Sequence, residues 1–357
     1  MQTVKALRQM RQGLCPKISE EDFELLFRRM SPVQTPYWCC PGSPPELKWR
    51  TDFDSAALCF QKRTAREIVK GRFQGGKIAY IFADELPLFA ALYQSKGGPS
   101  QAGTELLEIL SREGPMSVRM LKELTGCPVK EITTELHRLQ RKFLVFEDQA
   151  DSEWDRCWYR MEEVFPNLQA EKPEFSKALE TVILRFAWLH VVVTLENLTS
   201  FYELPARKLQ GALRELMEQG TLVPYREGLA LAEDLPLLNG PELEPAPGVA
   251  VLNRNDFLVR ANEYWLKEVY RYPGWEALQY LYIDGAFGGV TVGKFHNGPF
   301  EIEDILLHIP PEEWEKRKEE ILAAVALENP SVRPRHYCGK PPLTGHFWKR
   351  RICMGFF

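Results

Sequence analysis

The chain has 357 residues, 45% of them hydrophobic and 26% charged, a composition that fits a folded globular protein and excludes a disordered or fibrous one. That length exceeds one ordinary core and predicts roughly two to four domains. A formal net charge of -4 excludes a surface coated in positive charge, so a case for nucleic acid must rest on local patches.

In chain order, the opening stretch MQTVKALRQMRQGL carries charge too often to serve as a signal-peptide core. Behind the hydroxyl of Ser19, residues 20–30 form an amphipathic helix with Phe23, Leu26 and Phe27 on one side. Residues 56–70 read as a second helix. The segment from Arg72 to Phe82 reads as a hairpin turning at Gly75-Gly76. Asp84-Glu85 then opens a helix through Tyr93, and Lys96-Gly97-Gly98-Pro99-Ser100 is a linker. Residues 1–98 are expected to form a divergent winged-helix module.

An internal repeat follows. Ser117, Leu121, Leu124, Pro128, Ile132, Leu136 and Leu139 recur in register as Thr194, Leu198, Phe201, Pro205, Leu209, Leu213 and Leu216. Each copy opens on a hydroxyl residue able to cap a helix, and its apolar positions then fall three and four apart on one helical face. A break precedes each proline, a second helix follows, and both copies end in extended runs, Phe143–Phe146 and Thr221–Tyr225. Helix, turn, helix and hairpin is the winged helix-turn-helix, whose second helix is offered to the DNA major groove. Residues 99–168 and 169–240 are therefore expected to be two such modules.

The run NGPELEPAPGV over 239–249 marks a further boundary. Beyond it, strands over 278–283 and 289–295 flank the hairpin signal Asp284-Gly285, a strand over 300–307 follows, and a helix runs from Pro311 to Leu327. Residues 241–357 thus read as a small β-rich α+β domain. The expected fold class is α+β: tandem winged helix-turn-helix modules followed by a small antiparallel β-rich domain.

Positive charge is uneven. Lys62, Arg63, Arg66, Lys70, Arg72 and Lys77 cluster with only Glu67 against them, and they lead into the first hairpin. From Ser331 onward there is no acid, while Arg333, Arg335, Lys340, Lys349, Arg350 and Arg351 alternate with rings. Cations neutralise phosphates and flat rings stack on bases. The second helices add Lys130 and Arg138 in one copy and Arg207 in the other, beside several glutamates. That density suits binding through shape and backbone rather than reading of base edges.

Three such modules before a β-rich domain resemble the AlkZ-type winged-helix DNA glycosylases, which remove alkylated or crosslinked bases. The resemblance covers nearly the whole chain. It is carried by Met30-Ser31-Pro32-Val33-Gln34-Thr35, by Gly76 through Leu86, by Arg254-Asn255-Asp256-Phe257, and by Asp284-Gly285 before Val290. It implies a Gln-x-Gln or Gln-x-Asp signature whose side chains hold and polarise the attacking water. Gln34 matches its first position. Pro36 stands at the second with no hydrogen-bonding side chain, and Ala79 stands where the family often has histidine. Cleavage through an oxocarbenium-like transition state needs an oriented water and nearby negative charge, for which Asp52 and Asp54 are the candidates.

Two readings follow, a monofunctional glycosylase with an altered catalytic motif and a non-catalytic DNA-binding regulator or repair accessory. A protein-interaction scaffold is a third. In each of the first two the partner is duplex DNA, possibly damaged. Walker A, H-E-x-x-H, G-x-S-x-G and G-x-G-x-x-G patterns do not occur, so no nucleotide cofactor is expected. The eight cysteines include no C-x-x-C pair, which predicts reduced thiols and no metal site. No run approaches ~18 apolar residues, so the expected setting is the cytoplasm, near the nucleoid, with no membrane partner.

Overall fold

The computed structural model describes residues 1–36, 43–148, 156–295 and 301–340. Its first segment holds α1 (Gln2–Arg11), α2 (Glu20–Met30) and α3 (Ser55–Thr64), then a hairpin of β1 (Ile68–Phe73) and β2 (Lys77–Phe82), then α4 (Leu86–Tyr93). α2 buries Phe23, Leu26, Phe27 and Met30, the face its spacing dictates. The helix expected over 56–70 stops at Thr64. Arg66 enters the left-handed region at φ 58°, and the β-branched Ile68 and Val69 then suit a ladder better than a helix. The hairpin turns through Gln74, Gly75 and Gly76, all at positive φ.

Next come α5 (Gln101–Glu113), a short strand β3 (Met116–Ser117), α6 (Val118–Thr125), α7 (Val129–Arg141), β4 (Val145–Asp148), β5 (Cys157–Arg160) and α8 (Met161–Val164). The order then recurs in α9 (Phe175–His190), α10 (Leu195–Tyr202), α11 (Ala206–Glu218), β6 (Leu222–Tyr225), β7 (Gly228–Leu231) and α12 (Leu235–Leu238). Ser117 caps α6 at the Met120 N–H, and Thr194 caps α10 at the Asn197 N–H in a reciprocal box.

The repeat is packed much as its spacing requires. Leu121, Ile132, Leu136 and Leu139 are buried, as are Leu198, Leu209, Leu213 and Leu216. Leu124 differs: it is 54% exposed, whereas its counterpart Phe201 is buried against Phe186 and Phe257. A short strand also recurs. β3 pairs with β5, Val193 bridges Leu229 of β7, and Val33 bridges Tyr80 of β2. In all three segments the residue after the first helix thus lies against the last strand of the hairpin.

The C-terminal segment contains β8 (Val249–Asn253), α13 (Phe257–Val269), β9 (Glu276–Ile283), β10 (Ala286–Lys294), β11 (Glu301–Leu307), α14 (Pro311–Lys316), α15 (Lys318–Glu328) and β12 (His336–Tyr337). They build one sheet in the order β12-β11-β10-β9-β8, antiparallel except between β11 and β12. Asp284 and Gly285 turn β9 into β10 at φ 49° and 77°, the left-handed pair that a two-residue hairpin favours. The helix expected over 311–327 is interrupted at Arg317, whose guanidinium turns back to Asp284.

One face of this sheet packs Leu281 and Ile305 on Ile321 and Val325 of α15. Tyr280, Tyr282, Val290 and Val292 join the main core with Phe186, Phe201 and Phe257. The molecule is a mixed α+β protein with small, mostly antiparallel sheets. Among the described residues no helix is long and apolar enough to cross a membrane.

Candidate functional site

Gln34 follows Val33, which places it where Ser117 and Thr194 stand in the other two segments. Those residues cap a helix. Gln34 instead is 8% exposed and donates from Nε2 to Gln74 Oε1 at 2.6 Å. Gln74, fully buried in the hairpin turn, donates in its own right to the Phe201 carbonyl at 2.9 Å. The two amides therefore form a chain from the Val33 bridge through the hairpin to α10. Next door, the Thr35 carbonyl accepts from Asn255 Nδ2 at 2.7 Å.

A carboxylate does stand at this turn. Glu203 caps α10 in the left-handed conformation at φ 53°, the place taken by Gly126 in α6. That conformation costs a non-glycine residue roughly 1–2 kcal/mol. Its carboxylate touches Gly75, where a Cβ would collide with it, and it is shared by Lys77 and Arg260. Arg260 also pairs with Glu263, and Glu263 with Lys267 at 2.7 Å. Burial pushes the Glu263 carboxyl up, but the Lys267 hydrogen bond and Arg260 outweigh it and hold the group below its usual value.

Asp54 accepts from the Ala56 and Ala57 N–H groups at 3.1 Å and caps α3. Asp52 is exposed, and its backbone N–H donates to the Ile18 carbonyl. Neither shares a hydrogen-bond partner with Gln34 among the described residues. The aspartate that is buried nearby is Asp256, the cap of α13, which takes a bidentate pair from Arg50 at 2.6 and 2.9 Å. Arg50 itself is buried.

The cations of residues 62–77 are engaged within the chain. Lys62 pairs with Glu67 at 2.7 Å, Arg66 with Asp148 at 2.9 Å and Lys77 with Glu203. Arg72 donates to Gln140 at 3.0 Å, and the buried Arg63 lies over the Phe60 ring. Lys70 and Glu147 are both buried and 3.0 Å apart. Burial lowers the Lys70 ammonium against the pull of Glu147. Burial also pushes the Glu147 carboxyl up, but Lys70 and Arg156 outweigh it and leave it below its ordinary value. The run therefore joins the first hairpin to β4 and α7.

The second helices differ. α7 exposes Lys130, Thr134, Arg138 and Arg141, and α11 exposes Arg207, Lys208 and Arg214. Each set recurs at helical spacing along one face. Arg138 leans on Glu135 at 3.0 Å, while Lys130, Arg207 and Arg214 make no ion pair among the described residues. Arg350 and Arg351 lie outside the described residues.

Gln74, Glu203, Asn255 and Arg260 did not emerge from the sequence. One signal was available: Glu203 stands opposite Gly126 in the repeat, a charged residue where the turn calls for glycine.

No protein-family model matches the chain, and no curated protein matches it by sequence. Among solved structures it is similar to the Streptomyces sahachiroi DNA glycosylase AlkZ, with a TM-score of 0.66 and 16% identity over 93% of this chain and 98% of that one. At that identity the likeness is one of fold, and it extends over nearly the full length of both proteins.

Proposed function

We propose that the chain binds duplex DNA, damaged or intact, on a glycosylase scaffold whose hydrolytic centre at Gln34 has become structural. In this reading residues 1–98, 99–168 and 169–240 are winged-helix modules, and 241–357 is the β-rich domain. The observation that carries it is the contrast between two sets of cations. Those of α7 and α11 are exposed on the helices that a winged helix offers to DNA, while those of 62–77 are bound to carboxylates and amides of the same chain. A stripe of exposed cations without dense base-reading groups binds phosphates and gives little sequence preference.

Chemistry is set aside on separate grounds. The Gln34 amide is committed to Gln74, Pro36 offers no second polar group, and Asp54 is committed to a helix cap. Glu203, the carboxylate at the hairpin turn, is already neutralised by two cations. A water held near Gln34 would meet neither an available amide nor an unpaired charge.

The test is a base-release assay on methylated duplex DNA beside a binding titration on the same duplex. The proposal expects binding without abasic sites above the buffer control. Base release that is lost in Gln34→Ala would restore the glycosylase reading.

A further inference from the structure

A second cavity lies away from Gln34, where α1 and the α9–α10 junction meet α13 and the β9–β10 turn. It encloses about 370 Å³, within the size range of small-molecule sites. Aromatic surface comes from Trp265 and Phe287, which meet edge to face at 5.7 Å, and from Tyr264, 44% exposed at the rim. Lys5, Arg8 and Arg226 line it against a single acid, Glu227. Cations in excess beside flat rings recognise an aromatic anion.

The walls are built rather than incidental. Val191 is buried at φ 71° and ψ −56°, and the Val192 N–H closes back on the His190 carbonyl at 3.0 Å. This is a γ-turn of the strained hand, and a β-branched residue there is a genuine outlier. Such strain persists only where the surroundings enforce it, and it concentrates at ligand sites. The turn aims the His190 carbonyl at Arg8, whose Nε donates to it at 3.0 Å.

His190 Nδ1 lies 2.7 Å from the Val192 carbonyl. A carbonyl only accepts, so Nδ1 carries the proton and cannot accept from Arg8 Nη2, 3.5 Å away. Burial and the neighbouring Arg8 hold this imidazole neutral. Arg8 pairs with no described carboxylate, and its charge faces the cavity. The Tyr282 hydroxyl is buried beside Arg8 without a hydrogen bond of good geometry, a cost that a ligand oxygen would relieve. Asn262 takes the Trp265 Nε1–H at 3.0 Å and so fixes the indole.

We propose that this cavity binds a small planar aromatic anion of the nucleoside monophosphate class, with its ring against Trp265 and Phe287 and its anionic group on Arg8 and Tyr282. The site is independent of the DNA face, since it includes no residue of α7 or α11.

The probe is deoxyadenosine 5′-monophosphate, titrated calorimetrically into the full chain beside deoxyadenosine and inorganic phosphate. The monophosphate should bind, and each fragment should bind at least ~10-fold more weakly, because one lacks the charge-assisted hydrogen bonds and the other the ring surface. Arg8→Gln should weaken the monophosphate by a similar factor. Arg226→Gln, on the exposed β6–β7 turn, should weaken it severalfold without altering the melting temperature, which covers the case in which Arg8→Gln fails to fold. Neither change should alter duplex affinity. Absence of binding, equal binding of deoxyadenosine, or binding that survives Arg226→Gln unchanged but is lost in Arg207→Gln would overturn the proposal.

Discussion

Gln34 donates through Nε2 to Gln74 Oε1 at 2.6 Å, and neither side chain reaches bulk solvent to any extent. The amide that a hydrolytic centre would spend on water is spent on a hairpin turn. The same bond explains why a glutamine sits at positive φ between Phe73 and two glycines: its side chain is the joint between the first segment and α10.

Removing Gln34 should therefore cost stability rather than activity. Gln34→Ala leaves the Gln74 oxygen buried without a donor, which costs on the order of 1–3 kcal/mol. Urea unfolding should show that loss, with duplex affinity at fixed salt unchanged. A variant as stable as the wild type would mean that this hydrogen bond holds nothing together.

The Lys70–Glu147 pair makes a second prediction. Lys70→Met leaves Glu147 buried with only Arg156, 3.4 Å away, and breaking a buried pair from one side costs ~3–5 kcal/mol. Replacing both, as Lys70→Met with Glu147→Leu, should recover most of that loss. Both proteins should keep the wild-type salt dependence of DNA binding, because Lys70 is turned inward. A flatter dependence in either would return this hairpin to the phosphate backbone.

What the sequence disclosed was local. Ser117 and Thr194 are caps by their own chemistry, Asp284-Gly285 is a turn by its own conformational freedom, and the repeated leucines mark faces by spacing alone. The repeat thus located α6, α7, α10 and α11 and the hairpins after them. The fate of the charges was not local. Lys70 meets Glu147 and Lys77 meets Glu203 across long stretches of chain, so a run that reads as an exposed patch becomes an internal joint. Gln74 was hidden for the opposite reason, since a glutamine beside two glycines looks like a solvated turn until Gln34 and Phe201 close over it. α1 was passed over because its buried face mixes Thr3 and Gln9 with Val4, Ala6 and Leu7.

The repeat can be tested by paired truncations. Leu136→Ala and Leu213→Ala each remove a buried side chain from equivalent helices and should each cost ~2–5 kcal/mol. Leu124→Ala, at an exposed position, should stay within ~0.5 kcal/mol of wild type. Thermal melts that reversed this order would place the helix faces wrongly.

A pH dependence should arise at Glu328, buried at the foot of α15 between the Trp49 Nε1–H at 3.0 Å and Lys48 at 3.6 Å. Burial raises its carboxyl from 4.5 to about 7, with Glu46 adding to the shift and Lys48 opposing it. Between those values the folded protein holds a proton that the unfolded chain has released. Stability should therefore fall as pH rises from about 4.5 to 7 and level off beyond, by on the order of 3 kcal/mol for this group. Glu328→Gln should flatten that window and melt higher than wild type at pH 8. A variant that keeps the full slope would assign the dependence to other groups.

The claim that α7 and α11 present the DNA face is tested most directly by fluorescence anisotropy titration of a mixed-sequence duplex over a range of salt concentrations. Wild-type protein is compared with Lys130→Gln, Arg207→Gln and Arg214→Gln combined. The account predicts a steep log–log salt dependence for the wild type. In the variant the slope should flatten by ~0.9 for each phosphate that is no longer neutralised, with the melting temperature held. A variant that binds with the wild-type slope, or a wild-type protein whose affinity ignores salt, would contradict it.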